Sequence, residues 1–438
     1  MNDSNELTLR EQVSCLREGS LTPKDILDHA LSQIEKTESK IDAWQFIADK
    51  NDLEKQWSEY KLSSPALTAP GIPIGIKDTI DVAGMPAERG STIYSGRVPS
   101  ESATCVQQLS RCGLIPIGKT VTTELAYFEP GKTKNPHNPQ HTPGGSSSGS
   151  AAAVATRMVP VALGSQTAAS VIRPAAFCGV VGYVASRGLF SMRGVLPLAL
   201  SFDALGIIAK TVDDIFHVSN ILQSRNLSGS IAAIKPKTVL AIDGDDYGSV
   251  EDEMRYAFDK ALDSFADAGI VVKRESIQGS SAWPQLHKDI MAYEAAMNFS
   301  HEFDTSQQQL GDAFQSLVVA GRAISMRNRF DLALVHSKAV KQFDALFDHC
   351  DAIVTPAATG AAPHGLTTTG DPAMSRPWQL VGSSQCSLPF AQSRNGMPLG
   401  IQIIGGRYGD NSLLSIAKWI QEAFSWQSPM PGFLKAKD

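Results

Sequence analysis

The run Thr142-Pro143-Gly144-Gly145-Ser146-Ser147-Ser148-Gly149-Ser150 opens a stretch that passes through Ala151 to Ala155. It closes on Gly164-Ser165-Gln166-Thr167-Ala168-Ala169-Ser170-Val171-Ile172-Arg173. Two clusters of small hydroxyl residues flank one apolar segment. Glycine and serine add little bulk, so backbone N–H groups there can approach a ligand closely. A serine hydroxyl is a weak nucleophile until a base activates it. The rest of the chain must therefore supply a base and a scaffold that holds the two clusters.

Short apolar runs alternate with helical patterns on both sides of this stretch. Thr22-Pro23 reads as an N-cap with proline in the first turn, and Ile26, Leu27, Ala30, Leu31 and Ile34 share one helical face. Gly71 to Gly84 is strand-like, Ser102 to Cys112 reads as a helix, and Leu114 to Ile117 as a short buried strand. Thr211-Val212-Asp213-Asp214 resembles a capping box with Asp for the usual Glu. Thr238 to Ile242 reads as a strand, Val250 to Ala268 as a helix closed by Gly269, and Ile270 to Val272 as the next strand. Asp351 to Pro356 and Pro398 to Ile404 are further strands, and a last helix starts near Asp410 or Asn411. This rhythm predicts an α/β fold. Length alone suggests about three domains, but no repeat or low-complexity linker divides the chain. The expectation is one large domain over 1–438, with a mixed sheet between helical layers. Residues 280–350 read as largely helical, without a chemical motif, and are expected to shape or cover a pocket.

Composition excludes several classes. Hydrophobic content of 42% and charged content of 19% belong to a globular chain. A net charge of −6 gives no support to a nucleic-acid surface. The polar, acidic start Met1-Asn2-Asp3-Ser4-Asn5-Glu6 lacks the pattern of a signal peptide. No apolar run reaches membrane-spanning length, since Arg157 interrupts the longest. Six dispersed cysteines without a C-x-x-C read as reduced thiols of a cytoplasmic protein.

Lys77 lies inside the apolar Gly71–Gly84 run. Desolvation lowers a lysine's pKa and can make it a general base. Taken alone, it reads first as a strand-end lysine with its head in water. Lys119, after Ile117-Gly118, is the competing candidate. His137 and His141 have helical metal-ligand spacing, but Pro136 and Pro139 argue against a helix there, so no metal site is expected. Gly145-Ser146-Ser147-Ser148-Gly149 matches the G-x-S-x-G elbow formally. That motif needs a strand directly before it, and a Pro/Asn-rich loop precedes this one.

These residues together resemble the amidase signature family. The resemblance rests on Gly71-Ile-Pro-Ile-Gly-Ile-Lys77-Asp78, Thr142-Pro-Gly-Gly-Ser146-Ser147, and Gly164 through Gly179. It extends to Ser201-Phe202-Asp203, Thr211-Val212-Asp213-Asp214, Trp378, Leu388-Pro389 and Gly396-Met397-Pro398-Leu399-Gly400. It implies a signature core at about 65–215 and a variable, largely helical region at 225–350. It also implies a Ser–cis-Ser–Lys triad: Ser170 the nucleophile, Ser146 the bridging serine after a cis peptide bond, and Lys77 the base. Backbone N–H groups of Thr167, Ala168, Ala169 and Ser170 would form the oxyanion hole. The chemistry is coherent on its own terms, since Lys77 can draw a proton through Ser146 from Ser170, which acylates and is hydrolysed.

The chain departs from the family at two places. Gln166 stands where Asp is usual, and Ala168-Ala169 where Gly-Gly is usual. If either alanine position requires a positive φ, strain would distort the oxyanion hole. Gln166 and the Ser170-Val171-Ile172-Arg173-Pro174 order resemble malonamidase-type amidases, in which this arginine holds a substrate carboxylate. A buried structural ion pair is the other reading of Arg173. The leading expectation is an amidohydrolase acting on a small linear amide, with or without a carboxylate. The alternatives are the A subunit of a glutamyl-tRNA amidotransferase, which Gln166 and the arginine placement argue against, and a catalytically impaired binding protein. The expected partners are a small amide substrate and at most a second copy of the chain. No nucleic acid, membrane, metal or cofactor is expected.

Overall fold

In the computed structural model, which describes residues 4–63, 68–224 and 229–435, eleven strands pair into one sheet. The expectations for Met1 to Asp3, and the first residues of the 65–215 and 225–350 stretches, fall outside the described residues. The strands are β1 (Trp44–Ile47), β2 (Pro73–Lys77), β3 (Ile115–Thr120), β4 (Val161–Gln166), β5 (Val181–Val184) and β6 (Ala204–Ala209). They continue with β7 (Thr238–Ala241), β8 (Val271–Arg274), β9 (Ala352–Pro356), β10 (Gln385–Gln392) and β11 (Pro398–Ile404). Their order in space is β1-β3-β2-β4-β6-β5-β10-β11-β9-β7-β8. β2 runs parallel to β3 and β4, and β7 parallel to β8 and β9, while the other neighbours are antiparallel. The sheet is mixed, as expected.

Both faces of the sheet are covered. Val239 and Ala241 of β7 enter one hydrophobic cluster and Leu240 between them enters the other. Ala352 and Val354 of β9 part from Ile353 in the same way. Successive strand side chains point to opposite faces, so a sheet buried on both sides carries apolar residues without alternation. β2, β4 and β6 are buried at every position for this reason.

The helices follow the local signals. Thr22 caps Pro23–Ile41 in a full capping box with Asp25. Thr211 caps Val212–Leu222, but Asp214 does not complete the box: its Oδ1 accepts from the backbone N–H of Arg10 instead. Of the strand-like Gly71–Gly84 only Pro73–Lys77 is a strand and turns follow it; the other strand and helix ends read from sequence fall within a few residues of those observed, and β11 coincides with its expected range. The 280–350 region forms helices, including Trp283–Asn298, Asp312–Arg322 and Met326–Leu346. Buried residues of these helices join the second cluster, on the sheet face that carries Leu240 and Ile353.

The parallel run β3-β2-β4 positions the chemistry. Lys77 ends β2 and Gln166 ends β4, with Ile76 opposite Leu163, so both residues emerge at the same edge. Open α/β sheets bind ligands at the carboxyl ends of parallel strands. The helix Ser148–Ala155 packs under that edge with all eight residues buried. Only small residues fit there: a Cβ on Gly149 would lie 2.2 Å from the Ala43 carbonyl oxygen and 2.4 Å from the Val121 nitrogen.

Candidate active site

Lys77 is wholly buried. Its Nζ donates to Ser146 Oγ at 2.6 Å and to the Ser165 carbonyl and Oγ at 3.2 Å each. All three acceptors are neutral oxygens, so little offsets the desolvation of an ammonium. Burial pushes the Lys77 pKa down to about 7, against the opposing field of Asp203. The plainer reading of Lys77, with its head in water, is therefore overturned. Lys119 Nζ instead bonds Asp78 Oδ1 at 3.1 Å, with both side chains buried. Burial pushes the Lys119 pKa down as well, but Asp78 opposes that shift through a direct hydrogen bond, so Lys119 is tied into an ion pair and reaches neither serine cluster.

Ser146 follows a cis peptide bond from Gly145, and Gly144 before it has φ +81°, a backbone that favours glycine. The next residue ties this loop to the other cluster, since the Ser147 N–H donates to the Ser170 carbonyl at 3.0 Å. Ser147 itself is fully buried, with its hydroxyl near the Ser165 carbonyl, and no strand leads directly into it. The elbow reading stays discounted.

Gln166 organises the turn that carries Ser170. Its Oε1 accepts from the backbone N–H groups of Val171 at 2.9 Å and Ile172 at 3.1 Å. Its Nε2 donates to the Oε1 atoms of Gln379 at 3.0 Å and Gln385 at 3.2 Å. A glutamine can fill both demands because one amide carries an acceptor and a donor. Among the described residues, the N–H groups of Thr167, Ala168, Ala169 and Ser170 donate to no protein acceptor. Neither Ala168 nor Ala169 has a positive φ. The strain considered for alanine at these positions does not arise.

Asp203 braces the same turn. Its Oδ1 accepts from Thr167 Oγ1 at 2.6 Å, and its Oδ2 from the N–H groups of Leu198 and Ala199. Burial raises the Asp203 pKa to about 7, although these hydrogen bonds oppose the shift.

Ser146, Thr167, Ala168, Ala169, Ser170 and Arg173 line one narrow cleft, with Thr369, Met291 and Arg376 among the other walls. Arg173, in the helix Ile172–Cys178, is 3% exposed. Its Nη2 donates to the Gly145 carbonyl at 2.7 Å and to Thr369 Oγ1 at 3.0 Å, while Nε and Nη1 have no partner. No carboxylate pairs with it among the described residues, so the structural ion pair is not found. Burial, together with the nearby Arg376 charge, pushes its pKa down to about 9.

The sequence reading missed Arg376 and His287. Arg376 begins the helix Arg376–Val381, with Pro377 in its first turn, and His287 lies in Trp283–Asn298. An arginine directly before Pro377 at a helix start was a weak signal for the first. His287 had none, since only the packing of its helix brings it here. His137 and His141 each bond a backbone carbonyl, that of Cys178 and Ala362 respectively. Among the described residues, no group of three or more His, Cys, Asp or Glu could hold a metal ion.

Residues 25–414 match the amidase family model. The A subunit of the glutamyl-tRNA(Gln) amidotransferase from an Exiguobacterium species is 29% identical over 93% of this chain and 95% of that one. The crystal structure of an amidase superposes with TM-score 0.86 and 25% identity, covering 95% of this chain and all of that one. The crystal structure of the A subunit of the Thermotoga maritima glutamyl-tRNA(Gln) amidotransferase gives TM-score 0.82 and 26% identity, covering 98% of each chain. Two expectations need correction. The relatives found do not support a particular closeness to malonamidase-type enzymes, and they favour the A-subunit reading, against the expectation drawn from Gln166 and Arg173.

Proposed function

The chain belongs to the amidase family, and on that premise we propose that it hydrolyses a small, carboxylate-bearing amide through a Ser170 acyl-enzyme. The observation that carries this is the 2.6 Å contact between the buried Lys77 Nζ and Ser146 Oγ, with Ser146 and Ser170 on one cleft. In its neutral form Lys77 accepts a proton from Ser146 Oγ as Ser146 accepts one from Ser170 Oγ. Ser170 Oγ bonds to the amide carbon, and the carbonyl oxygen takes up negative charge facing the N–H groups of residues 167–170. Collapse breaks the C–N bond, and the proton on Lys77 returns through Ser146 to the leaving nitrogen. Water then attacks the ester carbon and gives a proton to Lys77 by the same route; the C–O bond to Ser170 breaks, the proton returns through Ser146 to Ser170 Oγ, and the acid leaves with Ser170 and neutral Lys77 restored.

Two settings share this chemistry. The names of the relatives favour the A subunit of a glutamyl-tRNA(Gln) amidotransferase, in which glutamine would be the amide. The cleft lining favours a free-standing amidohydrolase, because two arginines and no Asp or Glu line it, and the ammonium of glutamine would meet like charge. In both, Arg173 holds a substrate carboxylate with its free Nε and Nη1. The six cysteines, all free, fit a reducing compartment such as the cytoplasm. No helix among the described residues is long and apolar enough to cross a membrane.

The test is intact-mass trapping of an acyl-enzyme across a panel of small amides that includes glutamine. It is run with and without the other subunits of a glutamyl-tRNA(Gln) amidotransferase. An adduct on Ser170 with the chain alone supports the free-standing reading. Glutamine turnover that appears only with the other subunits supports the A-subunit reading. A folded protein that forms no adduct with any amide or ester leaves the binding-protein alternative.

A further inference from the structure

A second arginine lines the cleft, and the acyl-transfer chemistry does not use it. Arg376 is 3% exposed. Its Nη1 lies 3.1 Å from Nδ1 of His287, whose Nε2 lies 2.7 Å from the carbonyl oxygen of Thr167. A carbonyl only accepts, so Nε2 carries the ring proton and Nδ1 is the bare acceptor that receives the Arg376 N–H. The imidazole is wholly buried and stacks on Phe202 with ring centroids 4.3 Å apart. Burial, then the Arg376 charge, hold the His287 pKa well below its ordinary value, so the ring stays neutral. His287 therefore orients the Arg376 guanidinium without neutralising it, and anchors it to the turn that carries Ser170.

Arg173 and Arg376 thus bring two positive charges to one cleft, and neither forms an ion pair among the described residues. No Asp or Glu is among the lining residues. Asp371, which favours the charged form of both arginines, is itself exposed. A buried cation without a counterion is costly, and two in one cleft more so. Arg173 retains two buried N–H-bearing nitrogens with no acceptor. A ligand with two negative charges would compensate both guanidinium groups, whereas a neutral amide or an amino-acid amide would not.

We propose that Arg173 and Arg376 form a dianion-binding subsite, so that the substrate is a small amide carrying two carboxylates beside the scissile carbonyl. This rests on the amidase reading for its chemistry, but its test does not require turnover. Calorimetric titration of the Ser170→Ala protein with succinate, with butyrate as a monocarboxylate of equal chain length, and with glutamine measures the subsite directly. Succinate should bind about tenfold or more tighter than butyrate, the worth of one added charge-assisted contact. Arg376→Met should remove that advantage by weakening succinate far more than butyrate, and Arg376→Lys should recover part of it. Thermal melting checks that each variant is folded; if the Met variant is not, Arg376→Gln takes its place. The proposal is overturned if succinate binds no tighter than butyrate, or if glutamine binds tighter than succinate. Equal weakening of both acids by Arg376→Met also overturns it, as would an unchanged preference. Failure to acylate Ser170 in the parent enzyme would instead sink the amidase reading and leave the binding result standing.

Discussion

The Ser147 N–H donates to the Ser170 carbonyl at 3.0 Å, which joins the two serine-bearing loops directly. Ser146, one residue before this link, meets Lys77 Nζ at 2.6 Å. The three groups are thus held as a unit by backbone as well as side chain, and their removal should not be additive. Ser170→Ala should lower kcat on the order of a millionfold. Ser146→Ala and Lys77→Ala should each cost about a hundred- to ten-thousand-fold, and the triple variant little more than Ser170→Ala alone. A fluorophosphonate should label Ser170. Labelling at Ser147 would restore the nucleophile elbow and defeat the triad.

Activity should depend on pH with a defined sign. Below about 7 the buried Lys77 holds its proton and cannot accept another, so kcat/KM should rise as pH passes through about 7 and level off above it. Asp203, when ionised, favours the protonated lysine. Asp203→Asn should therefore move the rising limb to lower pH; its amide can still donate to Thr167 and accept from Leu198 and Ala199. A profile that is flat from pH 5 to 9 on a substrate that does not titrate there (bounds set at roughly two units either side of a pKa near 7) would count against a lysine base.

Gln166 should matter to stability and to rate together. Gln166→Ala strips the acceptor from the Val171 and Ile172 N–H groups in a buried turn. Each unsatisfied buried donor costs about 1–3 kcal/mol, so the melting temperature should fall and kcat with it. Gln166→Glu keeps the acceptor but sets a carboxylate oxygen against the Oε1 atoms of Gln379 and Gln385 in a buried site, and should also lower the melting temperature. An unchanged melting temperature in Gln166→Ala would show that the turn is held by other contacts.

Arg173→Ala should damage turnover of carboxylate-bearing amides far more than that of neutral amides of similar size. Arg173→Lys should rescue only in part, since an ammonium cannot reproduce the two-donor fork. Comparison of kcat/KM on paired substrates checks this. Equal losses on both classes, with a lowered melting temperature, would assign Arg173 to holding the Gly145 carbonyl and Thr369 in place.

The Lys119–Asp78 pair tests the scaffold apart from the chemistry. Both side chains are buried beside the triad strand. Lys119→Met leaves a buried carboxylate unpaired and should cost about 3–5 kcal/mol of stability, measured by denaturant unfolding. Lys119→Met combined with Asp78→Asn should recover much of that loss. A Lys119→Met protein as stable as the parent would mean that water reaches Asp78.

The strands and most helices were legible because their cues are local. Apolar runs bounded by glycine and proline mark β2, β9 and β11, and Thr22-Pro23 and Thr211 mark helix starts. The two serine clusters were legible because close backbone approach admits only small residues, as Gly149 illustrates. The ionisation states were not. Lys77 looked like a strand-end lysine until the fold surrounded it with neutral oxygens and excluded water.

By itself, the sequence determined an α/β chain, because apolar runs and helix starts are written locally; Lys77, Ser146 and Ser170 stood out in it only through the resemblance to the amidase signature family. Only the tertiary structure decided that Lys77 rather than Lys119 is the uncompensated amine, that Ala168 and Ala169 sit without strain, and that Arg173 lacks an ion pair. It alone brought Arg376 and His287 to the cleft from elements far along the chain. The physical reason is common to all four. Charge state, backbone strain and pairing depend on what neighbours a residue meets through space, and those neighbours are set by packing of the whole sheet and its helices.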